Sequence, residues 1–407
     1  MEKRVTAEYR SRRNLLSASA LLGTGLLLSA CGVEKKSGGK GADADTAKDV
    51  SKARITILPK NGGTNTSINK DTKVTVSDGK LTRVTMKDST GKSVRGSMAA
   101  DGRSWQPDGP LERGTVYKIA ATAKDSKGLE AHGNSSFTTV SKANSFIGHF
   151  TPEDRSTVGV GMPVSITFDK AITDRKAVQS RIKVTSSTGQ EVVGHWFSGQ
   201  RLDFRPEKYW TAGSTVTLKL DLDGVEGARG VYGIQHKTIT FKVGRSQVST
   251  VDVATKSMKV TRDGKTIKTI PISAGSAKNP TYNGQMVISE MFKETRMDGS
   301  TVGFGGEYDI PDVPHAMRLS TSGTFIHGNY WSADSIFGNS NTSHGCVGLN
   351  DVKGGNDPSQ PGSWFYRNSI VGDVVVVKNS PDDTIKPDNG LNAWNMSWAD
   401  WKAGSAV

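Results

Sequence analysis

The fold is decided by the stretch STGKSVRGSMAADGRSWQPDGPLERGTVYKIAATAKDSKG (residues 89–128), which recurs in outline as STGQEVVGHWFSGQRLDFRPEKYWTAGSTVTLKLDLDGVEG (residues 187–227). Each copy has a glycine-containing turn, an aromatic residue two positions before a proline (Trp105 and Phe204), and a following run that alternates between apolar and polar residues. Alternation with a period of two is typical of strands that are buried on one side. The repeat therefore predicts two β-domains of the same kind.

The predicted fold class is mainly β. A unit of about 100 residues built from short strands at regular turn spacing is typical of an immunoglobulin-like sandwich, and we predict two in tandem, at residues 53–143 and 144–246. Neither has a cluster of converging titratable side chains, so we interpret both as spacers or contact modules. A third β-rich domain is predicted at residues 247–379, and a short helical C-terminal segment at residues 380–407 is predicted to pack on it.

Composition and charge narrow the class of partner. The chain of 407 residues carries a net charge of +13, which favours an anionic partner such as a nucleic acid, an acidic polymer or a membrane surface. Lys and Arg are scattered, however, and neither a zinc-finger nor a helix-turn-helix pattern occurs in the sequence. We therefore predict that nucleic acid is not a partner.

The N-terminus predicts export. A basic start is followed by an apolar stretch that is short for a membrane span, as in a secretory signal peptide at residues 1–31. LSAC (residues 28–31) resembles a bacterial lipobox, whose cysteine, here Cys31, becomes lipidated, and SRRNLL (residues 11–16) resembles a twin-arginine signal. The polar residues 32–52 predict a flexible linker. We expect a lipid anchor on the outer face of the cell membrane; the alternative is a buried N-terminal helix that ends in cysteine by chance.

The second cysteine, Cys346, lies in NTSHGCVGLN (residues 341–350). With Cys31 in the leader it has no partner for an internal disulfide, and a lone thiol in an oxidising compartment is a liability unless it is buried or useful. A nucleophilic thiol needs a base, because a free cysteine with a pKa of ~8.5 is mostly protonated at neutral pH. His344, two residues before the thiol, cannot easily face it in an extended chain.

His327 is the better candidate base because it follows another apolar run, in FIHGNYW, and can approach the thiol from a neighbouring strand. A backbone carbonyl would orient its ring, since no obvious aspartate follows it. Gly345 would let backbone N–H groups converge on an oxyanion. Two alternatives stay open. His327, His344 and Cys346 could ligate zinc, or Cys346 could be a buried structural residue.

The two motifs IHGNYW and SHGCVGLN resemble the catalytic signature of the YkuD-type L,D-transpeptidases, and the predicted architecture resembles the lipid-anchored actinobacterial members over nearly the whole mature chain. The resemblance implies that Cys346 is the nucleophile and His327 the general base. Gly328 matches the residue whose carbonyl orients that base. The rest of the motif is Ser343, His344 and Gly345, with backbone amides around Gly345 and Cys346 forming the oxyanion hole.

The resemblance also implies substrate-binding residues. Met297 and Trp331 align with residues that line the substrate cleft and its lid, and Asn350 aligns with a polar residue of the site. Where the family has a substrate-pocket tyrosine upstream of the base, this chain has Thr321.

The implied function is a peptidoglycan L,D-transpeptidase that joins two stem peptides by a 3→3 cross-link through a cysteine thioester. The implied partners are a donor tetrapeptide stem and an acceptor stem, and we expect neither a cofactor nor a metal. Two other functions remain open at this point. An L,D-carboxypeptidase would use water as the acceptor, and a cell-wall-binding lipoprotein would have no catalysis.

Overall fold

The computed structural model describes residues 50–69 and 71–407. The predicted signal peptide with Cys31 and the predicted linker up to residue 49 lie outside the described residues. The described chain is mainly β with a few short helices, which confirms the predicted fold class. Among these residues, the structure has no helix that is long and apolar enough to cross a membrane.

The first sandwich consists of two sheets with the strand orders β1–β3–β6–β5 and β2–β8–β7–β4. Its strands are β1 (Arg54–Leu58), β2 (Gly63–Thr66), β3 (Lys73–Ser77), β4 (Lys80–Asp88), β5 (Gly96–Met98), β6 (Ser104–Pro107), β7 (Val116–Lys124) and β8 (Glu130–Thr139). In β7 every second side chain from Tyr117 to Ala123 is buried, as the alternation predicts. The aromatic residue of the repeat, Trp105, is buried in this core.

The second sandwich repeats this plan with the strand orders β10–β12–β15–β14 and β11–β19–β16–β13, and a small sheet β17–β18–β9 at its side. Phe204, the counterpart of Trp105, lies in its core. The elements are β9 (Ser145–Phe146), β10 (Gly148–Thr151), β11 (Thr157–Val158), β12 (Val164–Phe168), α1 (Arg175–Gln179), β13 (Ile182–Ser186), β14 (Val192–Trp196), β15 (Arg201–Pro206), β16 (Thr215–Asp221), β17 (Glu226–Ala228), β18 (Val231–Gly233) and β19 (His236–Val243).

The third domain is built on a sheet of nine described strands in the order β23–β28–β20–β21–β22–β27–β26–β25–β24. Two neighbouring pairs, β20–β28 and β26–β27, are parallel. The elements are β20 (Gln247–Asp252), β21 (Ser257–Arg262), β22 (Lys265–Ser273), β23 (Gly284–Val287), β24 (Glu290–Asp298), β25 (Asp309–Arg318), β26 (Phe325–Asn329), β27 (Val347–Asn350), α2 (Pro361–Arg367), β28 (Val374–Lys378) and α3 (Trp398–Ala403), with 3₁₀ turns at Gly299–Val302, Asp334–Ile336, Lys353–Gly355 and Ala393–Asn395.

The second sandwich and the third domain share a core. Val287 and Val374 of the large sheet belong to the same buried cluster as the side chains between the two sheets of the second sandwich. The backbone N–H groups of Gly159 and Gly161 donate to carbonyls in the loop before β28, at 2.8 and 2.9 Å. The interpretation of the second sandwich as a spacer is therefore incomplete, because it also supports the third domain.

The C-terminal segment contacts both the third domain and the second sandwich. The side chains of Asn392 and Asn395 accept hydrogen bonds from backbone N–H groups of β23 in the third domain. Trp401, however, is fully buried against the second sandwich, where its Nε1–H donates to the carbonyl of Val193 at 2.9 Å and its ring stacks on His195. In the sequence, Trp394, Trp398 and Trp401 are spaced like residues on one face of a helix, but that spacing contains no information about which surface covers them.

Candidate active site

The parallel pairing of β26 and β27 brings the two motifs together. Ile326 lies opposite Val347, and His327 lies opposite Gly348. Because side chains alternate along a strand, His327 and Cys346, which directly precedes β27, share one face of the sheet. Both side chains line a single cavity of about 300 Å³.

His327 is held in one orientation. Its Nδ1–H donates to the backbone carbonyl of Gly328 at 2.8 Å, the contact that the family resemblance implies. Its ring stacks on Trp331 with 5.6 Å between the ring centroids. Since Nδ1 is engaged, Nε2 is the nitrogen that can accept a proton. Burial lowers the pKa of His327, although the bond to Gly328 opposes that shift, so the imidazole is neutral at pH 7.

Cys346 is partly exposed at the surface of the cavity. Burial of its sulfur raises the pKa of the thiol to about 11. The thiol is therefore protonated at neutral pH. Its Sγ lies 3.6 Å from the carbonyl oxygen of Gly323. A neutral thiol beside a neutral imidazole requires that the proton move as the sulfur attacks.

Ser343 shapes the turn that presents the thiol. Its hydroxyl donates to the carbonyl of Cys346 at 2.6 Å and accepts from the N–H of Gly345 at 3.2 Å. Gly345 has a φ of +105°, a backbone conformation that an L-residue rarely adopts. Because the N–H of Gly345 is engaged by Ser343, the N–H of Cys346 itself is the stronger candidate for an oxyanion donor.

His344 points to a loop instead of the base. Its Nε2–H donates to Glu307 at 2.9 Å, and its ring lies 5.0 Å from that of Tyr308. Glu307 also pairs with Lys278 at 3.1 Å, and these two bonds lower the pKa of its carboxyl group. His344 therefore connects the cysteine motif to the loop of Glu307 and Tyr308, and Tyr308 lines the cavity.

The predicted substrate-binding residues divide into two groups. Met297 and Trp331 line the cavity, and 41% of Trp331 is exposed at its mouth. Asn350 does not line it, although it is paired with Asn329, which does. Thr321 is also outside, with its hydroxyl donating to the side chain of Asn389.

Several lining residues were missed by the sequence analysis. They are Ser273, Tyr308, Ile310, Asn329, Ser332, Thr342 and Gly348. The alternation of β26 could have identified Asn329, which is two positions after His327. Ser273 reaches the site only because β22 pairs with β27, with Ser273 opposite Gly348, and that pairing joins segments distant in sequence.

Within residues 50–69 and 71–407, no group of three or more His, Cys, Asp or Glu side chains is arranged to hold a metal ion.

Comparison with known proteins identifies the family. The family model for the L,D-transpeptidase catalytic domain matches residues 246–377, and the model for a bacterial Ig domain matches residues 63–226. L,D-transpeptidase 2 of Mycobacterium tuberculosis is 33% identical over 358 residues, which cover 87% of this chain and 85% of that protein. L,D-transpeptidase 5 of the same species is 31% identical over 341 residues, covering 82% of this chain and 73% of the relative.

A crystal structure of L,D-transpeptidase 3 from M. tuberculosis, in complex with a faropenem-derived adduct, aligns with a TM-score of 0.46 at 25% identity, covering 57% of this chain and 97% of that one. The identity and coverage of the two curated relatives establish that the chain belongs to the L,D-transpeptidase family.

Proposed function

We propose that this chain is a peptidoglycan L,D-transpeptidase that forms 3→3 cross-links through a thioester on Cys346. The observation that carries the proposal is the pairing of β26 with β27, which places Cys346 and His327 on one cavity while the carbonyl of Gly328 holds the imidazole in the tautomer of a general base.

The first half-reaction acylates the cysteine. The sulfur of Cys346 attacks the carbonyl carbon of the third residue of a tetrapeptide stem while its proton moves to Nε2 of His327. The bond to the terminal D-alanine then breaks, and His327 delivers the proton to the departing amine. The products are free D-alanine and a thioester, so atoms and charge balance.

The second half-reaction transfers the acyl group. A side-chain amine of diaminopimelate on a neighbouring stem attacks the thioester carbonyl, and His327 takes the proton of that amine. The carbon–sulfur bond breaks, and the proton returns to the sulfur of Cys346. In both steps the N–H of Cys346 would stabilise the oxyanion, a contribution that typically changes rates by about 10²–10³ for each donor.

Burial of the two groups favours their neutral forms over a resting thiolate–imidazolium pair. It raises the pKa of Cys346 to about 11 and lowers the pKa of His327. The base must therefore act during attack, which makes the geometry of its ring decisive. Carbapenems, whose strained lactam carbonyl mimics the acyl donor, would acylate the same sulfur.

We also propose the lipid anchor at Cys31, which would keep the enzyme on the outer face of the membrane, facing the cell wall. The lipobox-like LSAC is the observation that supports it.

Mass spectrometry of the purified mature chain incubated with a disaccharide-tetrapeptide tests the function. A 3→3 cross-linked dimer plus D-alanine is the expected outcome. Tripeptide plus D-alanine without a dimer would identify an L,D-carboxypeptidase instead, and no turnover would favour a wall-binding role. The Cys346→Ser variant is the control, since it should abolish either product while preserving the fold.

A further inference from the structure

A buried hydrogen bond lies beside the residue that follows the base. His315 Nδ1–H donates to Asp351 Oδ2 at 2.7 Å, and the two side chains are 5% and 0% exposed. Neither residue lines the active-site cavity, and neither takes part in the reaction steps above.

The hydrogen bond between His315 and Asp351 spans the strand that carries the base. Strand β26 lies between β25 and β27 in the sheet. His315 belongs to β25, and Asp351 follows the last residue of β27. The two side chains meet beside Gly328, where an added Cβ would lie 2.5 Å from Asp351 Oδ2. The carboxylate thus occupies the space of a missing side chain on the residue whose carbonyl orients His327.

Two further glycines make room for the pair. A Cβ on Gly362 would lie 2.4 Å from Asp351 Oδ2, and one on Gly355 would lie 2.6 Å from Cε1 of His315. His315 itself has a φ of +51°, which is uncommon for a residue other than glycine. Backbone conformations of this kind persist where the surrounding structure requires them, often beside functional sites.

We infer that His315 and Asp351 are positioning residues whose hydrogen bond fixes the peptide of Gly328, so that its carbonyl holds His327 with the proton on Nδ1. The hydrogen bond at one imidazole nitrogen decides which nitrogen is free to act as a base. If this peptide could rotate, the proton could occupy Nε2, and His327 could then not accept the proton of Cys346. The expected effect on catalysis rests on the proposed acyl transfer, whereas the expected effect on the tautomer of His327 rests on the geometry alone.

The test is ¹⁵N NMR of the mature chain labelled at histidine, which reports the tautomer of His327 without substrate. Asp351→Asn keeps the shape of the side chain and removes its charge. We expect the variant to lose part of the Nδ1–H population of His327. We also expect acylation of Cys346 by a carbapenem at saturation to slow about tenfold or more, a share of the 10²–10⁴ typical of a general base. The carbapenem concentration for half-maximal rate should change little.

A second variant changes the other partner of the hydrogen bond between His315 and Asp351. His315→Asn tolerates the positive φ, since asparagine is enriched in that conformation, but its side chain is too short to keep the contact with Asp351. The same shift of tautomer is expected. Asp373→Asn is the matched control, because it removes a buried carboxylate paired with Arg245 at 2.9 Å elsewhere in the same domain. It should lower the midpoint of thermal unfolding and leave the tautomer of His327 unchanged.

The inference is overturned if either folded variant at Asp351 or His315 keeps the parent tautomer and the parent rate. It is also overturned if Asp373→Asn shifts the tautomer of His327 equally, since the effect would then come from a general loss of stability of the domain. Because the NMR measurement needs no substrate, these outcomes are separate from failure of the proposed function, which would show as the absence of a 3→3 cross-linked dimer from the parent protein.

Discussion

The pH dependence of acylation tests whether His327 takes the proton of Cys346. Since the pKa of the thiol is raised to about 11, only about one thiol in 10⁴ is ionised at pH 7. A reaction that used this thiolate alone would accelerate tenfold with each pH unit up to about pH 11. A reaction that uses a general base instead follows the fraction of neutral imidazole. Burial lowers the pKa of His327, so this fraction is already close to one at pH 7.

The parent protein should therefore show a flat rate between pH 7 and pH 9. The rate should fall only on acidification, because a protonated imidazole cannot accept a proton, and the midpoint should lie below the usual imidazole pKa of ~6.5. The substitution His327→Gln removes the base and leaves the thiolate route. We expect a loss of roughly 10²–10⁴ at pH 7. Between pH 7 and pH 9 the variant should then accelerate by about 10², because the thiolate fraction rises by that factor.

Intact-protein mass measured over time, with a carbapenem in excess, follows both reactions. His149→Gln is the matched control, since His149 is exposed on the second sandwich, and Cys346→Ser should show no adduct. The reasoning is refuted if the parent rate rises tenfold per pH unit above pH 7, or if His327→Gln keeps the parent rate and its flat profile.

Three further outcomes are expected. Trp401→Ala should lower the free energy of unfolding by about 3–5 kcal/mol in urea titrations, because the indole is fully buried, and a loss below 1 kcal/mol would contradict its packing. Gly345→Ala, which forces a methyl-bearing residue to a φ of +105°, stores strain of order 1–3 kcal/mol and should slow carbapenem acylation about tenfold or more, whereas an unchanged rate would show that this turn does not orient the oxyanion donor. Cys31→Ser should move the mature protein from the membrane fraction to the soluble fraction on detergent-phase partitioning, and an unchanged distribution would exclude the anchor.

Local patterns in the sequence account for much of the fold. The alternation around Trp105 and Phe204 predicts half-buried strands, and the recurrence of that pattern predicts two sandwiches, because each unit has its own set of inward-facing residues. The two catalytic side chains could be predicted from the sequence for a related reason. The short motifs around His327 and Cys346 each follow or precede an apolar strand, and a thiol needs a base that only a neighbouring strand can bring to it.

The distant parts of the site could not be predicted, because they depend on the order of strands in the sheet. Ser273 enters the cavity through the pairing of β22 with β27. Asn350 is absent from the lining although it is paired with Asn329, which lines the cavity. A sequence motif contains the spacing of these residues, but not the position of the cavity along the strand.

The packing partner of the C-terminal tryptophans could not be predicted from the sequence either. Their partner is Arg205 of β15, whose guanidinium lies 4.9, 5.4 and 4.4 Å from the ring centroids of Trp394, Trp398 and Trp401. Desolvation lowers the pKa of Arg205 to about 10, so the side chain keeps its charge at pH 7 and can bind the faces of the rings. The arginine is separated from these tryptophans by about 190 residues, and neither segment alone identifies the other.

The contacts between Arg205 and the three tryptophans show that the second sandwich also holds the C-terminal segment. The C-terminal segment starts on the sheet that carries Cys346 and ends on the second sandwich, where Arg205 donates to its backbone. In addition, Val287 and Val374 of the same sheet belong to the core of that sandwich. A cut before residue 247 would expose those valines and remove the partner of the tryptophans at once. Residues 247–407 therefore do not contain all the contacts that stabilise the catalytic sheet, and the second sandwich is better described as part of the catalytic unit than as a spacer.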